Sequence, residues 1–209
     1  MWCALTARAK FDENGKISWI DGAIEDITDA RLHEQILSHL ANHDPLTGLP
    51  NRRLFEEAMA RTYARARRGT PSTLAIFDVD HFKRVNDTLG HAAGDETLMR
   101  ITSQVQKLLR DEDVFSRTGG DEFAILLEGA NLDRAVEIAE RLRLSIWETP
   151  GLCPGYQRPS LSIGLAEIDG QLSPTVVLSR ADAAMYRAKE LGRNRVARMA
   201  GRTSPAIDR

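Results

Sequence analysis

The sequence contains no apolar run near the roughly 20 residues that a membrane-spanning helix needs. Its first residues, MWCALTARAK, hold no apolar core of the signal-peptide kind. A basic excess is also missing. The chain carries 28 Lys and Arg against 30 Asp and Glu, a net charge of −2, which removes the electrostatic case for a nucleic-acid partner. Cysteine is scarce: Cys3 and Cys153 alone provide no disulfide scaffold and fit a cytoplasmic setting. No membrane contact is expected within this stretch, and any anchor of a longer protein would lie upstream. Internal repeats and low-complexity segments are absent, and so is the G-x-x-x-x-G-K-[ST] phosphate loop. What remains is 209 residues, 42 % hydrophobic and 28 % charged. That is ordinary globular material, enough for one full domain plus a smaller piece or for two small domains.

The segment AKFDENGKISWIDGAIEDIT reads as a β-hairpin around the turn signal DENG. A hairpin of this size does not stand alone, so the expectation is the tail of a larger module. DARLHEQILSHLANHD follows as a short helix, with Asp29 able to cap its start and Leu32, Ile36, Leu37 and Leu40 forming one apolar stripe. Two readings stay open for it: a connector packed on its neighbours, or a short parallel coiled coil joining an input module to an output module. DPLTGLPNRR is turn chemistry, and Asn51 can cap the helix RRLFEEAMARTYARARR. TLAIFDVD is a short apolar run of the buried-strand type. HFKRVNDTLGHAAGD reads as a polar loop, ahead of a helix over ETLMRITSQVQKLLR. DVFSR and EFAILLE flank Gly119-Gly120 as a hairpin, then come helix NLDRAVEIAERLRLSIW, strand SLSIGLAEI, helix SPTVVLSRADAAMYRAKELG and a last short strand in NRVARM. The tail AGRTSPAIDR has little to bury and is expected to fray. From residue 73 the order β, α, β-hairpin, α, β, α, β predicts a mixed α/β (α+β) fold with a ferredoxin-like sheet flanked by helices.

Three places hold chemistry. Asp78 and Asp80 close the FDVD strand, where oxygen ligands for a hard cation such as magnesium are commonly placed. Solvated acids at a strand end are the plainer explanation. The turn through Gly119-Gly120 lifts Asp121 and Glu122 to a tip, and if the two strands are neighbours, Asp78 and Asp121 share one site. Metal ions held between carboxylates suit in-line displacement at phosphorus. In the loop, Asn86 and Asp95 can bond a base edge. A carboxylate facing two adjacent N–H donors selects guanine, because only guanine offers N1–H beside its 2-amino group. Lys83 can meet phosphate, and Gly94 is expected just before a helix N-terminus, which favours anions.

Taken together, these motifs resemble one family. GGDEF at Gly119 to Phe123 is the signature of the GGDEF, or diguanylate cyclase, domain. DPLTGLPNRR, FDVDHFKRVNDTLGHAAGD, SLSIGLA and ADAAMYRAKELGRNRV resemble its other segments in the same order, so the resemblance spans residues 44 to about 198. It implies a fold like the palm of adenylyl cyclases and polymerases, and condensation of two GTP into cyclic di-GMP with release of pyrophosphate. It implies a homodimer in which each protomer holds one GTP, with Mg2+ or Mn2+ as cofactor. It makes Asp78, the Val79 carbonyl and Asp121 metal ligands, and gives Asp121 and the adjacent Glu122 catalytic roles at the ribose 3′-hydroxyl. Asn86, Asp95 and His91 become the guanine site. Phe82 and Lys83 meet phosphate through backbone N–H groups, and Lys189 and Arg193 hold the terminal phosphates. The R-x-x-D pattern of Arg110 and Asp113, with Arg141 from the next helix, resembles the cyclic di-GMP product-inhibition site. Without the family, Arg110 reads as a cation near a helix C-terminus.

DENGKISWIDGAIEDITDARLHEQ resembles the last strands of a PAS sensor domain and its exit helix. The expected division is a PAS remnant over 1–28, a linker helix over 29–43, the catalytic domain over 44–200 and a tail over 201–209. A silent module that only binds GTP or cyclic di-GMP is the alternative, but such members usually show a damaged acid turn, and here the turn is intact. A purely structural dimerisation domain would need neither Asn86 with Asp95 nor the acid pair.

Overall fold

The computed structural model describes residues 1–153, 155 and 158–199, with residues 34, 35, 37 and 38 described by their backbone alone. The side chain of Leu37 and the tail over 201–209, both singled out above, lie outside the described residues. The chain forms two compact units, Met1–Asn42 and His43–Arg209.

In the first unit, β1 (Cys3–Phe11) and β2 (Ile17–Asp26) pair antiparallel. Their turn is set by Asp12, whose Oδ1 accepts the N–H groups of Asn14 at 2.9 Å and Lys16 at 2.8 Å. This is the competition for backbone donors that makes Asp a turn residue. Helix α1 (Thr28–Asn42) begins one residue earlier than expected. Asp29 therefore lies in its first turn and does not cap it, while Asp26 Oδ1 accepts the Thr28 N–H at 2.9 Å. Leu32, Ile36 and Leu40 are exposed.

The second unit contains α2 (Arg52–Ala66), β3 (Ser72–Val79), α3 (Phe82–Leu89), α4 (His91–Gln106), β4 (Val114–Gly119), β5 (Glu122–Leu127), α5 (Leu132–Glu148), β6 (Leu161–Ile168), α6 (Pro174–Glu190) and β7 (Arg195–Arg198). The strands form one sheet in the order β4-β5-β3-β6-β7, antiparallel except for the β6–β7 edge pair. Omitting β7, this is the ferredoxin-like arrangement expected from the element order.

Strand alternation divides the core between the two sheet faces. Phe77, Phe123, Ile125 and Ile163 join Leu98 and Ile101 of α4 and Leu142 and Ile146 of α5 on one face. Leu74, Ile76, Ala124 and Leu126 meet Phe55 and Met59 of α2 and Val177 and Ala181 of α6 on the other. Asn51, Asn131 and Ser173 each cap a following helix, accepting from Leu54, Arg134 and Val176.

The polar loop expected over HFKRVNDTLGHAAGD is instead helical. Residues 82–89 form α3, and α4 starts at His91, with Gly90 at φ 85° breaking the two. Val85 is buried and Phe82 and Leu89 half-buried, giving α3 a narrow apolar side that the polar composition hid. Gly94 consequently lies inside α4 and not ahead of its start. The helix also stops at Gln106, short of Arg110.

Candidate active site

Strand β3 supplies the floor of the site. Asp78 pairs with Glu122 of β5 on one side and Ser162 of β6 on the other. Below it, Phe77 and Phe123 stack with ring centroids 5.1 Å apart, fastening the acid turn to a rigid sheet. Gly120 takes φ 47° at the tip, and the Val79 N–H lies 3.4 Å from the Asp121 carbonyl. The expected neighbourhood of the two strands is therefore present, and it brings Asp78, Val79, Asp121 and Glu122 to one end of the sheet.

Lys189 of α6 reaches the same point, with Nζ 2.9 Å from Asp78 Oδ2. Its reach depends on Gly164. A Cβ there would lie 2.1 Å from the Ala181 carbonyl oxygen and 2.2 Å from the Met185 nitrogen, so only glycine lets α6 lie this close to β6. Burial pushes the Asp78 carboxyl up to about 6. The Lys189 hydrogen bond pulls it down, while the charges of Asp121 and Asp80 push it further up.

Two groups missed by the sequence reading hold the turn. Arg117 donates from Nε and Nη2 to the Gly120 carbonyl at 2.8 and 2.7 Å, and from Nη1 to Asp44 Oδ1 at 2.9 Å. Burial pushes the Asp44 carboxyl up, but hydrogen bonds from Thr47 and Arg117 outweigh it and hold the group below the usual carboxylate range. DPLTGLPNRR, legible only as a turn, thus braces the acid tip from 73 residues away. Nothing in the spacing announces this contact, because it exists only after folding.

The Asn86 side chain packs onto α4 so closely that a Cβ on Gly94 would sit 1.9 Å from Asn86 Oδ1. Close approach at Gly94 is real, but the partner is Asn86. His91 and Asp95 stand one turn apart on α4, both exposed. The N–H groups of Phe82 and Lys83 belong to the first turn of α3, where no intrahelical acceptor exists. Arg193, at φ 60°, is exposed just past α6.

Arg110 and Asp113 lie in the turn after α4, and Arg141 of α5 reaches the Leu108 carbonyl just before it. Asp113 accepts the Arg110 N–H at 3.1 Å through Oδ2 and the Glu128 N–H at 3.2 Å through Oδ1. Burial raises its carboxyl above the ordinary value despite those two bonds. Arg141 Nη2 donates to the Leu108 carbonyl at 2.9 Å. The Arg110 side chain is exposed, with Glu112 3.6 Å away.

Among the described residues, no three His, Cys, Asp or Glu side chains converge as a ready-made metal cluster. The donors at the end of β3 are two carboxylates and a backbone carbonyl. Magnesium fits such a set, because it takes one or two protein carboxylates and draws its other oxygens from water and substrate phosphates. No helix among the described residues is long and apolar enough to cross a membrane.

Residues 41–195 match the family model described as diguanylate cyclase, GGDEF domain. The chain is 42 % identical over 155 residues to diguanylate cyclase DgcP of Pseudomonas aeruginosa, covering 73 % of this chain and 23 % of DgcP. It is 38 % identical over 183 residues to diguanylate cyclase DgcM of Escherichia coli, covering 83 % of this chain and 42 % of DgcM. The chain thus spans less than half of either relative. Among solved structures it is similar to the coiled coil and GGDEF domain of DgcB from Caulobacter crescentus in complex with c-di-GMP. That likeness has a TM-score of 0.76 at 31 % identity, over 83 % of this chain and 94 % of the other. With its acid turn, its ferredoxin-like sheet and these matches, the chain belongs to the GGDEF domain family.

Proposed function

We propose that this domain is an active diguanylate cyclase, condensing two GTP into one cyclic di-GMP and two pyrophosphates. The observation that carries the reading is the meeting of Asp78, Val79, Asp121 and Lys189 at one end of β3. The named activity of DgcP and DgcM supports it.

Asp78, the Val79 carbonyl and Asp121 would hold Mg2+ or Mn2+. When bound, the metal neutralises phosphate charge and lowers the pKa of the attacking hydroxyl. The chain's own groups do the rest. Asp121 takes the proton from the ribose 3′-hydroxyl, and Glu122 adds negative charge beside it. The freed oxygen attacks the α-phosphorus of the GTP on a second protomer, and the bond to the β-phosphate oxygen breaks. A second, reciprocal attack closes the ring. Asp95 accepts the guanine N1–H and 2-amino group, and Asn86 and His91 complete the base site. The Phe82 and Lys83 N–H groups, with Lys189 and Arg193, hold and orient the triphosphate. Lys189, paired with Asp78 in the structure, exchanges this partner for phosphate as substrate arrives.

The reaction needs two copies. The exposed Leu32, Ile36 and Leu40 of α1 support a parallel helix pair that brings them together. Arg110, Asp113 and Arg141 form the inhibitory cyclic di-GMP site. Asp113 shapes the turn, leaving the Arg110 guanidinium exposed to bind phosphate or a guanine edge. The β1–β2 hairpin is the edge of a PAS-type sensor sheet. Its exposed Leu5, Trp19, Ile20 and Ile24 support this, since a two-stranded sheet buries too little to fold alone.

The decisive experiment incubates the protein with GTP and Mg2+ and separates the nucleotides. Cyclic di-GMP is the expected product. Bound GTP without product at high protein concentration would overturn the assignment in favour of a binding module.

A further inference from the structure

Asp80, read from the sequence beside Asp78 as a candidate cation ligand, has no role in the reaction proposed above, yet it is among the few buried charged residues, at 6 % exposure. Both oxygens are engaged. Oδ1 accepts from Ser162 Oγ at 2.6 Å. Oδ2 accepts from Ser160 Oγ at 2.6 Å and from the Asn194 backbone N–H at 3.0 Å. Both carboxyl oxygens of this buried side chain are thus satisfied by neutral hydrogen-bond donors.

Its neighbours are conformationally unusual. The non-glycine residues with positive φ among those described are His81 at 60°, Arg193 at 60° and Asn194 at 44°. Such conformations are disfavoured for L-residues and persist where surrounding structure holds them. Each adjoins Asp80 in the chain, bonds to it, or precedes the residue that does. His81 follows it in the chain and opens α3, whose first N–H groups are those of Phe82 and Lys83. Asn194 is bound to it directly, and Arg193 precedes Asn194.

We infer that Asp80 is the positioning residue of the triphosphate cradle, setting the N-terminus of α3 and the Arg193 corner relative to one another. One peptide bond ties it to the first and one hydrogen bond to the second. The inference rests on the reading that these two segments meet the GTP phosphates. The corner is also held by the Arg193 N–H on the Ala188 carbonyl and by Arg143 Nη1 on Asn194 Oδ1, both at 3.0 Å. Of these bonds, the one to Asp80 ties it to the α3 side, so its loss lets the corner shift relative to α3 and changes where Arg193 starts.

The test compares a GTP analogue carrying a methylene bridge between its α- and β-phosphorus atoms with GMP, which lacks the terminal phosphates. Both are titrated with Mg2+ present, the analogue by calorimetry and GMP by NMR. Asp80→Ala, which removes the acceptor for the Asn194 N–H, should weaken analogue binding at least tenfold while changing GMP binding less than twofold. In an Arg193→Ala background the same substitution should weaken the analogue by less than threefold. Equal losses for both ligands, or full additivity with Arg193→Ala, would reduce Asp80 to a structural residue and overturn the inference. Should Asp80→Ala not fold, the Asn194 amide of the unaltered protein is read by hydrogen exchange. Protection of a hundredfold or more is expected, and exchange at the rate of a free amide overturns the inference. An unaltered protein that binds neither ligand sinks the cyclase reading itself. One that binds the analogue tightly, with its preference intact in Asp80→Ala, sinks only the role of Asp80.

Discussion

Asp121 stands at the tip of a turn whose backbone is held by Arg117 and whose base is fastened by stacked phenylalanines. Its carboxylate can therefore be removed without disturbing the support. Asp121→Ala is expected to lower cyclic di-GMP formation by about 10²–10⁴, the range for loss of a general base, with still more lost if metal binding goes too. The thermal midpoint should stay where it is, and full activity in that variant would remove Asp121 from the mechanism. Asp78 gives a pH signature. Its folded value of about 6 lies above the unfolded 3.8, so its stabilising contribution is complete below about 3.8 and lost as pH rises through about 6. Asp78→Asn should accordingly flatten the fall in thermal midpoint between those values. Cation binding has the opposite sign, because the ligand must be deprotonated. Mn2+ affinity, followed by electron paramagnetic resonance, should drop towards tenfold per pH unit below about 6. Arg110 tests the second site. Its guanidinium is exposed, so Arg110→Ala should leave folding and initial rate unchanged while the rate stops declining as cyclic di-GMP accumulates. Unaltered inhibition would rule the site out.

At the scale of elements, the close approach of α6 to β6 decides where Lys189 sits. Gly164→Ala forces a methyl into the α6 backbone at 2.1 and 2.2 Å. The helix must move, at a cost of about 1–3 kcal/mol typical of overpacking. The unfolding free energy from urea titration should fall by that amount, and the displaced Lys189 should raise the KM for GTP. A wild-type midpoint would mean that the two elements slide apart freely. Strands β3, β5 and β6 and helices α2, α5 and α6 are legible because their apolar runs are clean and turn residues separate them, with Asn51 marking the start of α2. Helix α3 is not. It offers one fully buried residue, Val85, in a polar stretch, and its stability comes from packing against α4 through Asn86 and Gly94. Such a helix is specified by its neighbour and carries little periodic signal of its own.

At the scale of the whole molecule, the proposed two-protomer reaction makes rate depend on encounter. Across the range where protomers dissociate, cyclic di-GMP formation should rise more steeply than linearly with protein concentration. A strictly linear rate through that range, with dissociation verified by analytical ultracentrifugation, would contradict the two-protomer reaction. Removing residues 1–42, a unit distinct from His43–Arg209, should leave the sheet intact and shift this dependence to higher concentration.

The sequence by itself determined the class of fold and the acid turn, and it marked the residues proposed to touch guanine, phosphate and metal. Those depend on local spacing: alternation along a strand, a double glycine before two acids, a helix cap three residues from its partner. Tertiary structure decided what holds those residues in place. Arg117 on Asp44, Lys189 on Asp78 and Asp80 on Asn194 join segments 73, 111 and 114 residues apart in the chain. Each is a charged group fixed by a partner that arrives only when the sheet assembles. No local pattern encodes such a meeting, because its energy comes from burial and hydrogen bonding that exist only in the folded chain.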